Sequence, residues 1–433
     1  MDVTLVKWSP REPSPAVTVF LQRPAFDAEA QGVAARVLDD IRANGAPAVL
    51  KYVRQFDGAT LALDSLRVTP AELATARESV DPDFRAASRE THKRIVAFAT
   101  AGMKKNWVTF SAKGGQLGEQ FVPFERVGVY VPGGAAPLVS TVLMTVTLAR
   151  VAGVPEIVGC SPADKDGRMN PYLLYAFELA GATEIYKIGG IQAVGLMAYG
   201  IEGVPRVQKI AGPGGAYVTA AKKCVYGDVA LDLVAGPSEI AILADETALA
   251  EHVAADLLSQ AEHGTGLEKA LLVTSSGELA RSVQKELARQ RQTLSRQEAI
   301  GKVMEKGMLL VVVNNLDEGM ELCNQFAPEH LEIMVKEPRN WLRKVRCAGA
   351  VFVGAWTPEA VGDFVAGPSH VLPTGGTATK FSGLTVDDFR RRTSFVSYTR
   401  ADLQETLPVI EAFGRVEGLD AHARSARVRF KSL

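Results

Sequence analysis

Six histidines occur in the 433-residue chain, and four of them, His263, His330, His370 and His422, stand beside glycine, proline or a carboxylate in loops or at element ends. His263 closes the stretch DLLSQAEH, residues 256–263, with Gly264 next. Val253, Ala254, Leu257, Leu258 and Ala261 repeat there at the three- and four-residue spacing of one buried helical face. Gln260 falls on that apolar stripe, where a buried amide needs partners. His263 follows on the adjoining shoulder, and Gly264 is placed to stop the helix. The pair projects at a helix C-terminus, where the negative end of the dipole favours a cation. A core glutamine bonded to backbone, with a histidine closing the helix, is the plainer reading of the same residues.

Ala327-Pro-Glu-His330 places a carboxylate and an imidazole consecutively before a strand, an adjacency suited to proton relay because one neighbour sets the other's pKa and orientation. A turn with a surface Glu329 and a half-buried His330 competes with it. Gly362-Asp363 and Gly367-Pro-Ser-His370 put a carboxylate and an imidazole on one irregular loop. Glu417 and His422 form another pair near the chain end, where a frayed charged tail is the alternative. His92 and His252 read as helix or surface residues. Gln260, His263, Asp363 and His422 together offer two imidazoles, a carboxylate and an amide oxygen, a set that a borderline cation such as zinc accepts. None of the spacings is a local metal motif, so only the fold can assemble them.

Residues 1–26 read as an extended, proline-punctuated arm that needs a surface to lie on, such as another subunit. Asp27 caps a helix to Asn44 with Gly45 as its stop, and Pro47 begins a second that ends before Gly58. Thr69-Pro-Ala-Glu72 is a capping box, and Asp81-Pro82 opens a longer helix through Ala101. From Arg126 the pattern changes to short strands, at 127–131, 156–160, 184–188, 207–211, 229–235 and 240–244, alternating with helices at 138–152, 171–180, 192–199 and 216–226. This is the rhythm of a parallel sheet. Three strands end in glycine turns, Pro132-Gly-Gly134, Gly189-Gly190 and Gly212-Pro-Gly-Gly215, at the edge where such sheets bind ligands. No GxGxxG or GxxxxGK[ST] fingerprint accompanies them, so a nucleotide is suggested by topology alone. A second alternation has a helix at 247–263, a strand at 270–275, helices at 278–291 and 296–306, and strands at 308–313, 331–335 and 350–354. Val234-Ala-Gly-Pro-Ser238 recurs as Val365-Ala-Gly-Pro-Ser369, in keeping with two similar α/β/α domains facing each other. A strand at 395–399 and a helical tail follow, able to reach across a dimer interface.

The length exceeds one ordinary core and predicts two or three domains. With 47% apolar and 22% charged residues the composition is that of a soluble globular protein, and a net charge of -1 argues against a nucleic-acid partner. Arg390 to Arg392 read as a solvated face. Cys160, Cys224, Cys323 and Cys347 show no CxxC spacing. Three follow or lie within apolar segments, which reads as reduced core thiols in a cytoplasmic protein. No secretory leader is evident, and the most apolar stretch, 138–154, is interrupted by Ser140, Thr141 and Arg150 and cannot span a bilayer.

Several blocks in order carry a resemblance: VLDDIRANGAPAVLKYVRQFDG from Val37, GVYVPGG at 128–134, KIAGPGGAYVTAAK at 209–222, DLVAGPSEI at 232–240, DLLSQAEHG at 256–264, FAPEHLEI at 326–333 and AGPSHVLPTGGTA at 366–378. The chain resembles the histidinol dehydrogenase family from about Val37 to about Val428. The resemblance implies a zinc-dependent, NAD-linked oxidation of L-histidinol through the aldehyde to L-histidine, in a cytoplasmic homodimer with a shared active site. It implies two Rossmann-like α/β/α domains similar to those of aldehyde dehydrogenases. Residues 1–26 would be an arm, 27–125 a helical part packing with the second α/β domain, 126–244 the NAD side, 245–384 the zinc and catalytic side, and 385–433 a dimerisation tail. Gln260, His263 and Asp363 would hold zinc with His422 from the partner, and Glu329 and His330 would be the acid/base pair. Ser238, Gln260, His263, His330, Asp363, Glu417 and His422 would line the substrate pocket, and Tyr130 and Gln192 would contact NAD. Where the family reads GPGN, Gly215 stands in the asparagine's place beside the cofactor. After His263 the sequence Gly264-Thr-Gly266 loosens the loop. Relatives of the family oxidise other small polar alcohols, including sulfonated diols, and a zinc hydrolase using Glu329 as base is a further alternative, which would not require the glycine-turned βαβ half.

Overall fold

β-branched and apolar runs bounded by glycine turns become strands buried on both faces, the condition of a parallel sheet covered by helices. The computed structural model of the chain describes residues 3–23, 28–133, 137–233, 236–263 and 265–430. Asp27, Gly134, Val234, Ala235 and Gly264, read above as helix cap, glycine turn, part of the repeat and helix stop, lie outside the described residues. Fourteen strands occur among those described: β1 Thr4–Lys7, β2 Trp107–Phe110, β3 Gln116–Pro123, β4 Arg126–Tyr130, β5 Glu156–Ser161, β6 Glu184–Lys187, β7 Lys209–Ala211, β8 Ala230–Leu231, β9 Glu239–Ala244, β10 Lys269–Thr274, β11 Met308–Val312, β12 His330–Met334, β13 Ala350–Val353 and β14 Arg390–Ser397.

Two parallel sheets with helical layers result, as the α/β rhythm predicts. The first has the order β6-β5-β4-β7-β8 and the second β1-β11-β10-β9-β12-β13. All pairings in the first sheet are parallel, and its strand order reverses between β4 and β7, the switch point at whose carboxyl ends such sheets bind ligands. In the second, Ile240, Ile242 and Ala244 of β9 face one buried helical layer while Ala241 and Leu243 face the other. Contacts divide the chain into one unit of residues 1–102 and 124–389, which holds both parallel sheets, and another of 103–123 and 390–433.

Several expectations are corrected. The strand at 239–244, read as the last of the first half, pairs with β10 and β12 near the middle of the second sheet. The N-terminal arm lies on its own chain: β1 runs parallel to β11 as an edge strand, and Trp8, Val17 and Phe20 are buried beneath it. The helix Ala28–Asn44 turns Ala30, Ala34, Val37, Leu38 and Ile41 into the core of the first sheet, not the second, and packs on the helices Gly190–Tyr199 and Ala216–Cys224. The helix Leu316–Phe326, capped by Asn315, was not foreseen. Neither were β2 and β3, which form with β14 the antiparallel sheet β14-β3-β2 of the second unit, ahead of the helices Arg400–Val416 and Asp420–Arg427. The capping box at Thr69 and Glu72 is formed as read. Cys160 and Cys323 are buried free thiols, but Cys224 is exposed and Cys347 half-buried. No helix among the described residues is long and apolar enough to cross a membrane.

Candidate active site

The helix Ala250–Ala261 buries Val253, Ala254, Leu257, Leu258 and Ala261, and its register carries Gln260 into the interior with no exposed surface. The Gln260 amide nitrogen lies 3.3 Å from His263 Nδ1 and its Oε1 3.2 Å from His330 Nδ1, so this glutamine bridges two imidazoles. The short helix Glu359–Phe364 supplies Asp363 from a helical turn and not from the loop expected. Ligand atoms of His263, Glu359 and Asp363 all lie within 4.8 Å of one another. Among the described residues Asp363 and Glu359 form ion pairs only with imidazoles. Two carboxylates, an imidazole and an adjacent amide without a lysine or arginine partner fit a divalent cation.

Beside this cluster, β12 begins at His330. Its Nδ1 lies 3.2 Å from the Glu239 carbonyl oxygen and 3.3 Å from Glu359 Oε1. A backbone carbonyl only accepts, so Nδ1 carries the hydrogen and Nε2 the lone pair. Nε2 is buried without a hydrogen-bond partner, 3.8 Å from Asp363 Oδ1. Burial pulls the His330 pKa down to about 4, leaving a neutral imidazole near pH 7. Glu329 accepts the Glu239 backbone N–H at 3.0 Å and is hydrogen-bonded to Ser238; burial lifts its carboxyl well above the carboxylate range. The turn into this pair is strained, because Ala327 ends the preceding helix at φ +46°, in the left-handed region that costs a residue with a Cβ about 1 kcal/mol. His370 joins from the following loop, its Nδ1 3.9 Å from Asp363 Oδ1 and its Nε2 3.1 Å from the Thr141 hydroxyl of the first sheet's helix Val139–Val151.

At the carboxyl ends of β4, β6 and β7 a second group assembles. Gly212, at φ +112°, lies so close to Tyr130 that an added Cβ would stand 2.1 Å from the Tyr130 carbonyl oxygen. The Tyr130 hydroxyl accepts the Gly190 N–H at 3.3 Å, and the Gln192 amide nitrogen donates to Asp57 Oδ1 at 3.0 Å. Gln192 is fully buried and its Oε1 has no partner. An orphaned buried acceptor beside a glycine cradle fits a dinucleotide at a topological switch point. Gly215 is the N-cap of the helix Ala216–Cys224, and a Cβ there would meet nothing within 4 Å.

Gln260, His263, His330 and Asp363 are thus brought together, with Ser238 at Glu329 and Tyr130 beside Gln192. Glu417 and His422 are exposed on the second unit, at the end of the helix Arg400–Val416 and on the helix Asp420–Arg427. Glu359, Glu239 and Asp57 were not singled out as site residues, and His370 was paired with Asp363 without a role being assigned to it. For Glu359 a signal existed: Glu359-Ala-Val-Gly-Asp363 puts two carboxylates four residues apart on one helical face.

The chain matches the family model described as histidinol dehydrogenase over residues 21–430. It is 47% identical over 413 residues to the histidinol dehydrogenase of Heliobacterium mobile, across 95% of this chain and 96% of the relative. With the enzyme of Moorella thermoacetica it shares 47% over 402 residues, across 92% and 95% of the two chains. The crystal structure of histidinol dehydrogenase from Elizabethkingia anophelis superposes with a TM-score of 0.94 at 34% identity, covering 99% of this chain and 98% of that one. The chain belongs to the histidinol dehydrogenase family, oxidoreductases of the final steps of histidine biosynthesis.

Proposed function

We propose that this chain oxidises L-histidinol through L-histidinaldehyde to L-histidine in the cytoplasm, with two NAD and one zinc per site, as a homodimer whose subunits share their sites. Gln260, His263 and Asp363 hold the metal with His422 of the partner subunit, and Tyr130, Gln192 and the Gly215 turn receive the cofactor. When bound, zinc supplies a template for the imidazole and amine of the substrate and NAD the hydride acceptor. The observation that carries this reading is the meeting of His330 with the Gln260, His263 and Asp363 cluster, its lone pair left on a buried, unpartnered Nε2.

His330 Nε2 takes the hydroxyl proton as hydride leaves the carbinol carbon, which avoids a free alkoxide. For the second oxidation Glu329 takes a proton from a water that attacks the aldehyde, and the hydrate gives up its hydride in turn. Burial holds Glu329 toward its neutral form, with the Asp363 charge adding to it, and a divalent cation held at Asp363 would offset that charge and favour the carboxylate that a base needs. Ser238 steadies Glu329, and the partner subunit's Glu417 and the partner subunit's His422 complete the substrate pocket. The test is NADH absorbance on adding histidinol, histidinal and other small alcohols, with and without a chelator. Chelator-sensitive NADH formation from histidinol and histidinal is expected; none from histidinol, or preference for a sulfonated diol, contradicts the reading. His330→Ala should keep zinc and lose oxidation, whereas His422→Ala should lose zinc.

A further inference from the structure

The Gly189-Gly190 turn after β6 has the glycine composition of a phosphate cradle, yet its backbone donors are already engaged. Gly189 N–H donates to Asp57 Oδ2 at 2.9 Å, and Gly190 N–H to the Tyr130 hydroxyl oxygen. Asp57 comes from the far end of the helical stretch Val53–Asp57, just before Gly58 at φ +75°. Its other oxygen takes the Gln192 amide. A carboxylate oxygen accepts, so it settles which end of that amide faces it, namely the nitrogen. Gln192 Oε1 is therefore turned the other way, fully buried and without a donor. Gly189 admits this arrangement because an added Cβ would stand 2.7 Å from Pro162 Cβ and 2.9 Å from Asp57 Oδ1.

We propose that Asp57 is a positioning residue of the cofactor site, one that locks Gln192 with its oxygen presented as a fixed acceptor to a hydrogen-bond donor of NAD. That donor is a ribose hydroxyl or the carboxamide NH2, and the turn is closed to phosphate because its N–H groups are spent and a carboxylate stands behind them. This assignment rests on the NAD-linked reading above.

The test is calorimetric titration of the zinc-loaded dimer with NAD+ and with ADP-ribose, for wild type, Asp57→Ala, Asp57→Asn, Gln192→Ala and the Asp57→Ala/Gln192→Ala double variant. Thermal unfolding and zinc content check that each variant is folded. Asp57→Ala and Gln192→Ala should each weaken NAD+ binding roughly tenfold, and the double variant should bind no more weakly than Gln192→Ala alone, since Asp57 acts through Gln192. Asp57→Asn should fail like alanine: its oxygen can keep the Gly189 bond while its NH2 turns the Gln192 amide over, presenting a donor where an acceptor is needed. A merely structural role would be rescued by that near-isosteric change. The same loss with ADP-ribose places the partner on a ribose, and a loss confined to NAD+ places it on the carboxamide. Wild-type affinity in Asp57→Asn, or additive losses in the double variant, would overturn the proposal. Failure of the wild-type dimer to bind NAD+ would remove the NAD-linked reading itself.

Discussion

Glu359 Oε1 lies 3.3 Å from His330 Nδ1, and both residues are 2% exposed. With the Gln260 and Glu239 oxygens on the same nitrogen, three acceptors hold one imidazole in a single tautomer. Burial lifts the Glu359 carboxyl well above the carboxylate range; Glu359→Gln keeps an oxygen for that N–H but gives up the carboxylate that a cation at Asp363 would restore beside the imidazolium formed on proton uptake. kcat should fall about tenfold with KM little changed, and Glu359→Ala about a hundredfold, within the span of general acid/base effects. Steady-state kinetics at saturating NAD check this.

Arg23 reaches Glu239 Oε1 with its Nε at 2.6 Å and gives its other nitrogens to the Leu21 and Phe326 carbonyls. Glu239 in turn holds Glu329 by its N–H and His330 by its C=O. Arg23→Ala leaves a buried carboxylate without its cation and should cost about 3 kcal/mol in denaturant unfolding, with a lower kcat. Arg23→Lys, lacking the planar fork, should recover little of either.

Glu332 accepts the Glu359 N–H on Oε1 at 2.8 Å, and its buried carboxyl is hydrogen-bonded to that of Asp256. Burial lifts Glu332 well above the carboxylate range, with the Asp256 charge adding to it, and burial raises Asp256 to about 6. The folded protein then holds protons that the unfolded chain releases near the ordinary values of 4.5 for glutamate and 3.8 for aspartate. Stability from these groups is complete below those values and is lost as pH rises through the folded ones, because the folded state binds more protons there. Glu332→Gln should raise Tm at pH 8 by about 2 °C or more and match wild type near pH 4, read by calorimetry. A lower Tm at pH 8 would refute it.

Gly215 sits at φ -67° as a helix N-cap with open space where a Cβ would go. Gly215→Asn should fit without strain, cap the helix better by a few tenths of a kcal/mol and tighten NAD+ binding about threefold or more. NAD+ titration of the variant measures it.

The helical register of 253–261 was legible because a single apolar stripe fixes which way Gln260 must point, and the capping box at Thr69 because its two side chains satisfy each other locally. The place of the strand at 239–244 was not, since its neighbours β10 and β12 come later in the chain and local pattern carries no pairing partner. The arm at 4–7 reads as extended but unpaired, and becomes a strand only where β11 offers its edge. Asp57 escaped for a related reason, since it acts on Gln192, far off in sequence, and for Glu359 the four-residue spacing to Asp363 marks a shared helical face but not the contact with His330.

The shared site is tested most directly by mixing two inactive proteins, His330→Ala and His422→Ala, through reversible unfolding and reassembly. In a mixed dimer one site carries both defects and the other neither, so oxidation of histidinol should return to about half the wild-type rate per mixed dimer. If the mixture stays inactive while mixed dimers are shown to form, His330 and His422 serve the same site from one chain, and the account of a metal held between two subunits is contradicted.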